Sequence, residues 1–406
     1  MIAALDLGTS KICALIGEKD EQGNLMIHGE GTAPTLGIKG GIIVDMESAV
    51  KSINEAITKA ENNANAEADE VVIGIAGRSL QSLNNRNEVT VISPLRGITE
   101  EDIRKLEDGA RNVVIPEGRQ LLSVLNQGYY VDDDISGTDI PPIGMVGSRL
   151  ALDVHIVHGQ SSALQNVVRC VNQAGFEVSS IILQPMASAA SVLTPDERQG
   201  GVIMLDIGAG TMDMVLYQNN AIRHTQVIHM GGNHITNDIS FGLRISKNDA
   251  ESIKVKYGCA TLSSLEHSED FPITQLVGGE TSNVPERILV EIIYPRLVDM
   301  FTEVQKELDK IPTKFKTPIG VIITGGVSKT KGIKEVAERM FQLPVRLANP
   351  SRYVTYIKGL DTPEYATAIG LLSLADEMGI NTGKKSNKGQ FIKVFGSVKQ
   401  FFEKYF

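Results

Sequence analysis

The sequence predicts an α/β fold built twice over, two related lobes facing each other, with an amphipathic helix appended at the C-terminus. Three observations predict it. Residues 2–16, IAALDLGTSKICALI, and residues 202–217, VIMLDIGAGTMDMVLY, repeat one pattern: an apolar run, Asp-x-Gly-x-(Ser/Gly), then a second apolar run. The copies stand about half the chain apart, and 406 residues leave room for two or three domains. The last residues, 381–406, are different in kind: they hold six lysines against one glutamate and five of the 11 phenylalanines.

Composition narrows the function classes. Hydrophobic residues make up 42% of the chain and charged residues 22%, which excludes a mostly disordered or fibrous protein. A net charge of −10 argues against wholesale nucleic-acid binding. Cys13, Cys170 and Cys259 are scattered, with no C-x-x-C pair and no histidine spacing for zinc. They predict packed small hydrophobes in a reducing compartment rather than disulfides or a structural metal. Met1 leads straight into a strand-like run with no signal peptide, and no stretch of ~18 apolar residues could span a membrane as a helix. The cytoplasm is the expected compartment.

Each copy of the repeat reads as a hairpin. The apolar runs suit buried strands. The glycine turn lets backbone N–H groups crowd into a concavity that attracts anions. The aspartate at its mouth suits a hydrated Mg²⁺, and Thr9, Ser10 and Thr211 add hydroxyls. One such turn is equally a tight hairpin with no ligand; two facing turns predict a clamp on a polyphosphate. GGVSKT at 325–330 is no P-loop, because Ser328 rather than glycine precedes Lys329.

The two loops resemble the phosphate-1 and phosphate-2 motifs of the actin/Hsp70/sugar-kinase superfamily, residues 206–213 being the more specific. Residues 322–328, a strand-like run ending in Gly325-Gly326, resemble its adenosine turn. Residues 185–190 and 366–371 resemble the two small-residue helices that cross between the halves, although such runs also suit ordinary core helices. Within the superfamily the chain resembles the FtsA family of bacterial cell-division proteins over essentially its whole length, most clearly at 6–11, 231–239 and 250–254.

The resemblance implies an actin-like (ribonuclease H-like, duplicated) fold around a nucleotide cleft, with ATP and Mg²⁺ as cofactors. It implies a protein that polymerises on the cytoplasmic side of the membrane at the division septum and anchors the FtsZ ring. Partners would be the FtsZ C-terminal peptide, further copies of the chain, an anionic membrane surface and other division proteins, with no nucleic acid. Rivals on the same fold are a scaffold for pilus or secretion assembly and a small-metabolite kinase; the kinase needs a carboxylate base facing a hydroxyl substrate, and no candidate stands out.

The implied division is as follows. Subdomain 1A takes residues 1–83 with 161–200 and 366–380; 84–160 form an inserted α+β subdomain, 1C, used in polymer contacts. Residues 201–232 with 315–365 form 2A and 233–314 form 2B. Residues 381–389 are a polar linker and 390–406 a membrane-targeting helix. The helical periodicity of 284–308 is strong, and Pro295 should kink or split that helix. In the family this region receives the FtsZ peptide, which makes Arg287 and Arg296 candidates for its acidic groups; solvated helix charges are the alternative.

In the implied cleft Asp6 and Asp206 hold Mg²⁺, mainly through water. Gly8, Thr9, Ser10 and Lys11 face one side of the phosphates. Gly208, Ala209, Gly210 and Thr211 face the other, with Gly232 nearby, and Gly325 and Gly326 let the purine lie against backbone. Glu251 and Lys254 are carried over as base and ribose contacts; three apart on a helix, they would equally make a surface ion pair. Gln184 stands where the resemblance places the group that orients the attacking water, with Asp206 as its catalytic companion. An amide is a poor base, so hydrolysis should be slow. Asp213 is close by and suits stabilising the turn.

The tail is legible by itself. NTGKKSNKG at 381–389 has linker composition. Beyond it Phe391, Val394, Phe395, Val398, Phe401, Phe402 and Tyr405 recur at three- and four-residue steps, with Lys393, Lys399 and Lys404 off that face. A short helix of aromatics flanked by lysines suits the plane of an anionic lipid interface. Docking back on the body is the alternative.

Overall fold

The computed structural model describes residues 1–92, 96–132, 137–265, 270–311, 318–351 and 353–378. The expected linker and C-terminal helix lie outside the described residues.

Two sheets carry the repeat. The first has the strand order Glu177–Leu183, Glu70–Ile75, Ile2–Leu7, Lys11–Lys19, Leu25–Pro34, Tyr353–Thr355. The second has Val345–Leu347, Gly320–Thr324, Val202–Ile207, Met212–Gln218, Ala221–Ile228. Each is built on an antiparallel three-strand meander, extended beside its first strand by two parallel strands. Register repeats as well. Asp6 pairs with Cys13 and Asp206 with Asp213, and each of the first aspartates sits one residue before its strand ends.

The second sheet divides its faces between two cores. Val202, Met204, Val215, Tyr217, Ile222 and Ile322 pack into the first lobe's core, whereas Ile203, Leu205, Ile207, Met214, Leu216, Val321 and Ile323 pack into the second lobe's own. This is strand alternation with both faces apolar, and it fastens the lobes together by packing as well as by chain.

The two small-residue segments are helices, Gln184–Val192 and Ala366–Glu377, and they lie against each other at backbone distance. A Cβ added to Gly370 would fall 1.7 Å from the Ala187 carbonyl oxygen. Ser191 Oγ donates to the Ala366 carbonyl at 2.7 Å, a second tie between the helices.

Between the meander and this helix pair the chain builds a separate small body. Strands Leu80–Thr90, Arg149–Gln160 and Arg119–Val131 form an antiparallel sheet with Arg149–Gln160 in the middle. Helix Glu100–Arg111 starts at a capping box between Thr99 and Asp102 and covers one face through Ile103, Leu106 and Ala110. The Tyr129 hydroxyl, inside that core, donates to Glu107 at 2.6 Å.

This body also grips the edge strand Ala221–Ile228 of the second lobe. Ser82 Oγ donates to the Thr225 carbonyl at 2.9 Å and Asn84 Nδ2 to the Arg223 carbonyl at 3.2 Å. Gln127 Nε2 donates to the Ile222 and Arg223 carbonyls, and the Arg223 guanidinium donates back to the Gln127 carbonyl. His155 lies buried in the seam, bonded through its ring nitrogens to Asn84 Oδ1 and Thr225 Oγ1. Burial, with some help from nearby His224, pushes its pKa down to about 3.

The second lobe adds helices Gly232–Leu243, Lys247–Tyr257 and Arg287–Asp309 and the hairpin Asp270–Thr274/Thr281–Pro285. Of the expected kink or split at Pro295, the split is absent: the third helix is continuous from Arg287 to Asp309. Leu289, Val290 and Ile293 before the proline and Leu297, Met300, Phe301 and Val304 after it are all buried, and that packing outweighs the lost backbone bond.

Two outcomes follow. Gly370→Ala should cost about 1–3 kcal/mol or more in urea unfolding, because the methyl group has only backbone to displace. His155 is held neutral, so its stabilisation is complete above the unfolded value of about 6.5 and is lost as pH falls towards 3. His155→Asn should flatten the decline between pH 6.5 and 4, measured by urea unfolding at stepped pH.

Candidate functional site

The ends of the two repeated strands open into one cleft of about 380 Å³. Each aspartate-glycine turn contributes a wall. Gly8, Thr9, Ser10 and Lys11 come from the first, and Gly208, Ala209 and Thr211 from the second. Gly210 is not among the lining residues. A Cβ there would fall 2.6 Å from Thr9 Cγ2, so its missing side chain makes room for the opposite loop, and the two turns touch.

Asp6 and Asp206 both face the cleft. Gln184 Nε2 donates to Asp6 Oδ1 at 2.8 Å, and the amide is 9% exposed. Ser188 Oγ donates to Asp206 Oδ2 at 2.5 Å, as does Thr367 Oγ1 at 3.1 Å. Burial raises the Asp6 pKa to about 7, with Asp206 adding to the rise and Lys11 opposing it. Burial raises Asp206 too, against the pull of its two hydroxyl partners. Asp213, opposite Asp206 in the hairpin, is 6% exposed and is pushed well above the carboxylate range by burial and then by the two other aspartates. Its buried Oδ1 has no hydrogen-bond partner within the described residues. Three desolvated carboxyls at one cleft floor favour a bound cation, or protonation in its absence.

Further glycines shape the cleft and the loop behind it. Gly325 has φ +82°, and a Cβ on it would lie 2.4 Å from Asp206 Oδ1 and 2.6 Å from the Ile207 carbonyl oxygen. Only glycine suits that backbone and that approach. Gly231 presses on the second loop, where a Cβ would fall 2.5 Å from the Gly208 carbonyl oxygen. The Gly232 N–H donates to the Gly208 carbonyl at 3.0 Å and that of Asn233 to Ala209 at 2.7 Å. The start of helix Gly232–Leu243 thus closes directly on the loop.

Four side chains read from sequence have partners that the sequence did not announce. The Lys11 ammonium lies 3.7 Å above the Tyr365 ring centroid. Lys254 and Glu251 make the ion pair at 2.7 Å and line the cleft together. The Lys254 ammonium also donates to Thr236 Oγ1 at 2.9 Å and the Gly232 carbonyl at 3.2 Å, and Thr236 bonds Glu251 in turn. Arg296 lies away from the cleft in a bidentate pair with Asp238, 2.6 and 3.0 Å, which ties helix Arg287–Asp309 to helix Gly232–Leu243. Arg287 is exposed at the start of its helix. Ser188, Thr367 and Tyr365 were not among the expected site residues. A hydroxyl one turn after Gln184 was the available signal for Ser188; Thr367 and Tyr365 carry none.

Comparison with known proteins agrees with this architecture. A family model described as cell division protein FtsA matches residues 203–370, and one described as the SHS2 domain inserted in FtsA matches residues 77–158. The FtsA of Pseudomonas aeruginosa is 39% identical over 92% of this chain and 88% of its own length. That of Escherichia coli K12 is 31% identical over 94% and 91%. Among solved structures, the PilM–PilN type IV pilus biogenesis complex gives a TM-score of 0.64 at 17% identity, covering 91% of this chain and 97% of that one. ADP-bound MreB5 of Spiroplasma citri gives 0.57 at 15%, covering 93% and 96%. Identities this low show the fold alone, whereas the sequence relatives are cell-division proteins. The chain belongs to the FtsA family of cell division proteins and has the actin-like fold.

Proposed function

We propose that this chain binds ATP with Mg²⁺ between its two lobes, polymerises as an actin-like filament, and ties the FtsZ ring to the cytoplasmic membrane at the septum through residues 390–406. The observation that carries the reading is the pair of aspartate-glycine turns in contact across one cleft, each with its aspartate at the floor. Among the described residues no three carboxylate, histidine or cysteine groups converge on a direct metal site. Two desolvated carboxyls suit instead a hydrated Mg²⁺ that takes its other positions from water and phosphate. The bound ion would offset phosphate charge, while backbone groups of Gly8, Thr9, Ser10 and Lys11 and of Gly208, Ala209 and Thr211 would hold the phosphates, Gly325 and Gly326 would pass the purine, and Glu251 and Lys254 would meet base and ribose.

Gln184 spends its N–H on Asp6 and keeps a carbonyl oxygen to orient water, which supports slow turnover and a switch-like use of ATP. The lobes and insert follow the subdomains 1A, 1C, 2A and 2B given above with two shifts: 1C takes in the whole of strand Leu80–Thr90, and Tyr353–Thr355 joins the sheet of 1A. In 2B, the exposure of Arg287 supports reading it as a cation for an acidic FtsZ peptide, whereas Arg296 is engaged by Asp238. The lysine-flanked aromatic composition of residues 390–406 is what supports them as the anchor; no described helix is long and apolar enough to cross a membrane.

Calorimetric titration of the full chain should show ATP binding that depends on magnesium, and Asp206→Ala should weaken it about tenfold or more. Binding indifferent to Asp206 would overturn the cleft assignment. A chain ending at residue 389 should still bind ATP but no longer sediment with vesicles containing anionic lipid; undiminished sedimentation would remove the anchor from the account.

A further inference from the structure

One helix reaches both halves of the cleft. Gln184 and Ser188 stand one turn apart on Gln184–Val192 and share a face. Gln184 takes the aspartate of the first lobe and Ser188 that of the second. Thr367, from the other crossing helix, takes the same Asp206 oxygen as Ser188, and the two hydroxyl oxygens are 2.9 Å apart. Both hydroxyls fall on Oδ2. Neither reaches Oδ1, the oxygen beside Gly325.

We propose that Ser188 and Thr367 are positioning residues for the cation that accompanies the nucleotide: they fix Asp206 with one oxygen bound to the crossing helices and the other left for the ion's water shell. The idea rests on the Mg²⁺–ATP reading above. Its physical content is a choice of rotamer. Asp206 is 8% exposed, with no room to exchange its oxygens freely, and two hydroxyl donors on Oδ2 hold one orientation of the carboxylate. Because the donors come from both helices that join the lobes, that orientation is tied to how the helices cross. Gly370, in contact with Ala187 one residue before Ser188, leaves no slack at the crossing. Gln184 plays the matching part for Asp6, so a single helix registers both aspartates.

The discriminating quantity is the ratio of ATP affinity in magnesium to that in EDTA, measured by calorimetry on the full chain. A role confined to folding would move both affinities alike. In Ser188→Ala/Thr367→Val the ratio should fall about tenfold, with affinity in EDTA changed less than threefold. Thr367→Val alone should lower it part of the way and Thr367→Ser, which keeps the hydroxyl, should leave it at the wild-type value. The single Thr367 pair keeps the test decisive if the double variant does not fold. A wild-type ratio in either the double variant or Thr367→Val overturns the proposal while the nucleotide reading stands. A wild-type protein that binds ATP no better with magnesium overturns both.

Discussion

Two carboxylates from different lobes meet at the bottom of one cleft, and a single helix holds both of them. That constraint organises the rest of the molecule. Like charges brought out of water repel and resist ionisation. The structure keeps Asp6 and Asp206 in place with an amide on one and two hydroxyls on the other. Gln184 and Ser188 can reach only because Gln184–Val192 runs between the sheets, and it can run there only because its neighbour helix, which brings Thr367, offers glycine at 370. The glycine at 325 serves the same end from the other side, giving the Asp206 carboxylate space that any side chain would take.

The duplication is most informative where it fails. Both meanders end in an edge strand that would expose unpaired backbone. In the first lobe, Leu25–Pro34 is covered by the short parallel strand Tyr353–Thr355. In the second, Ala221–Ile228 is covered by side chains of the inserted body, with Ser82, Asn84 and Gln127 bonding its carbonyls. The insert is therefore chained to one lobe and bonded to the other. Strand Ala221–Ile228 runs on through Gly231 to the helix that closes over the second aspartate-glycine turn. A protected edge and a neutral histidine in the seam are what an insert held against both lobes requires.

Much of this was legible in the sequence because it is local or repeated. The aspartate-glycine turns carry their own hairpin chemistry, and the small-residue segments announce close helix contact. The insert's helix carries its own local start signal, Thr99 followed by an acidic first turn. What stayed hidden depends on partners far along the chain. Thr367 bonds Asp206 from 161 residues away, and Ser82 bonds Thr225 across 143. Lys11 looks like a phosphate ligand in its motif, yet its ammonium rests on a tyrosine ring from the other end of the protein. Gly210 looks like a ligand-facing glycine and instead accommodates Thr9. Pro295 obeys a local rule that buried neighbours on both sides overrule. Arg296 shows the reverse case, a helix charge whose partner, Asp238, lies in a motif noted for other reasons.

The central claim is that one nucleotide sits between the two turns with both aspartates beneath it. The most direct measurement is a structure of the full chain with AMPPNP and magnesium. The account predicts the triphosphate between residues 8–11 and 208–211, the base beside Gly325 and Gly326, and Asp6 and Asp206 on either side of the hydrated ion. A nucleotide held by one lobe alone, or bound outside the cleft with either aspartate unengaged, would contradict it.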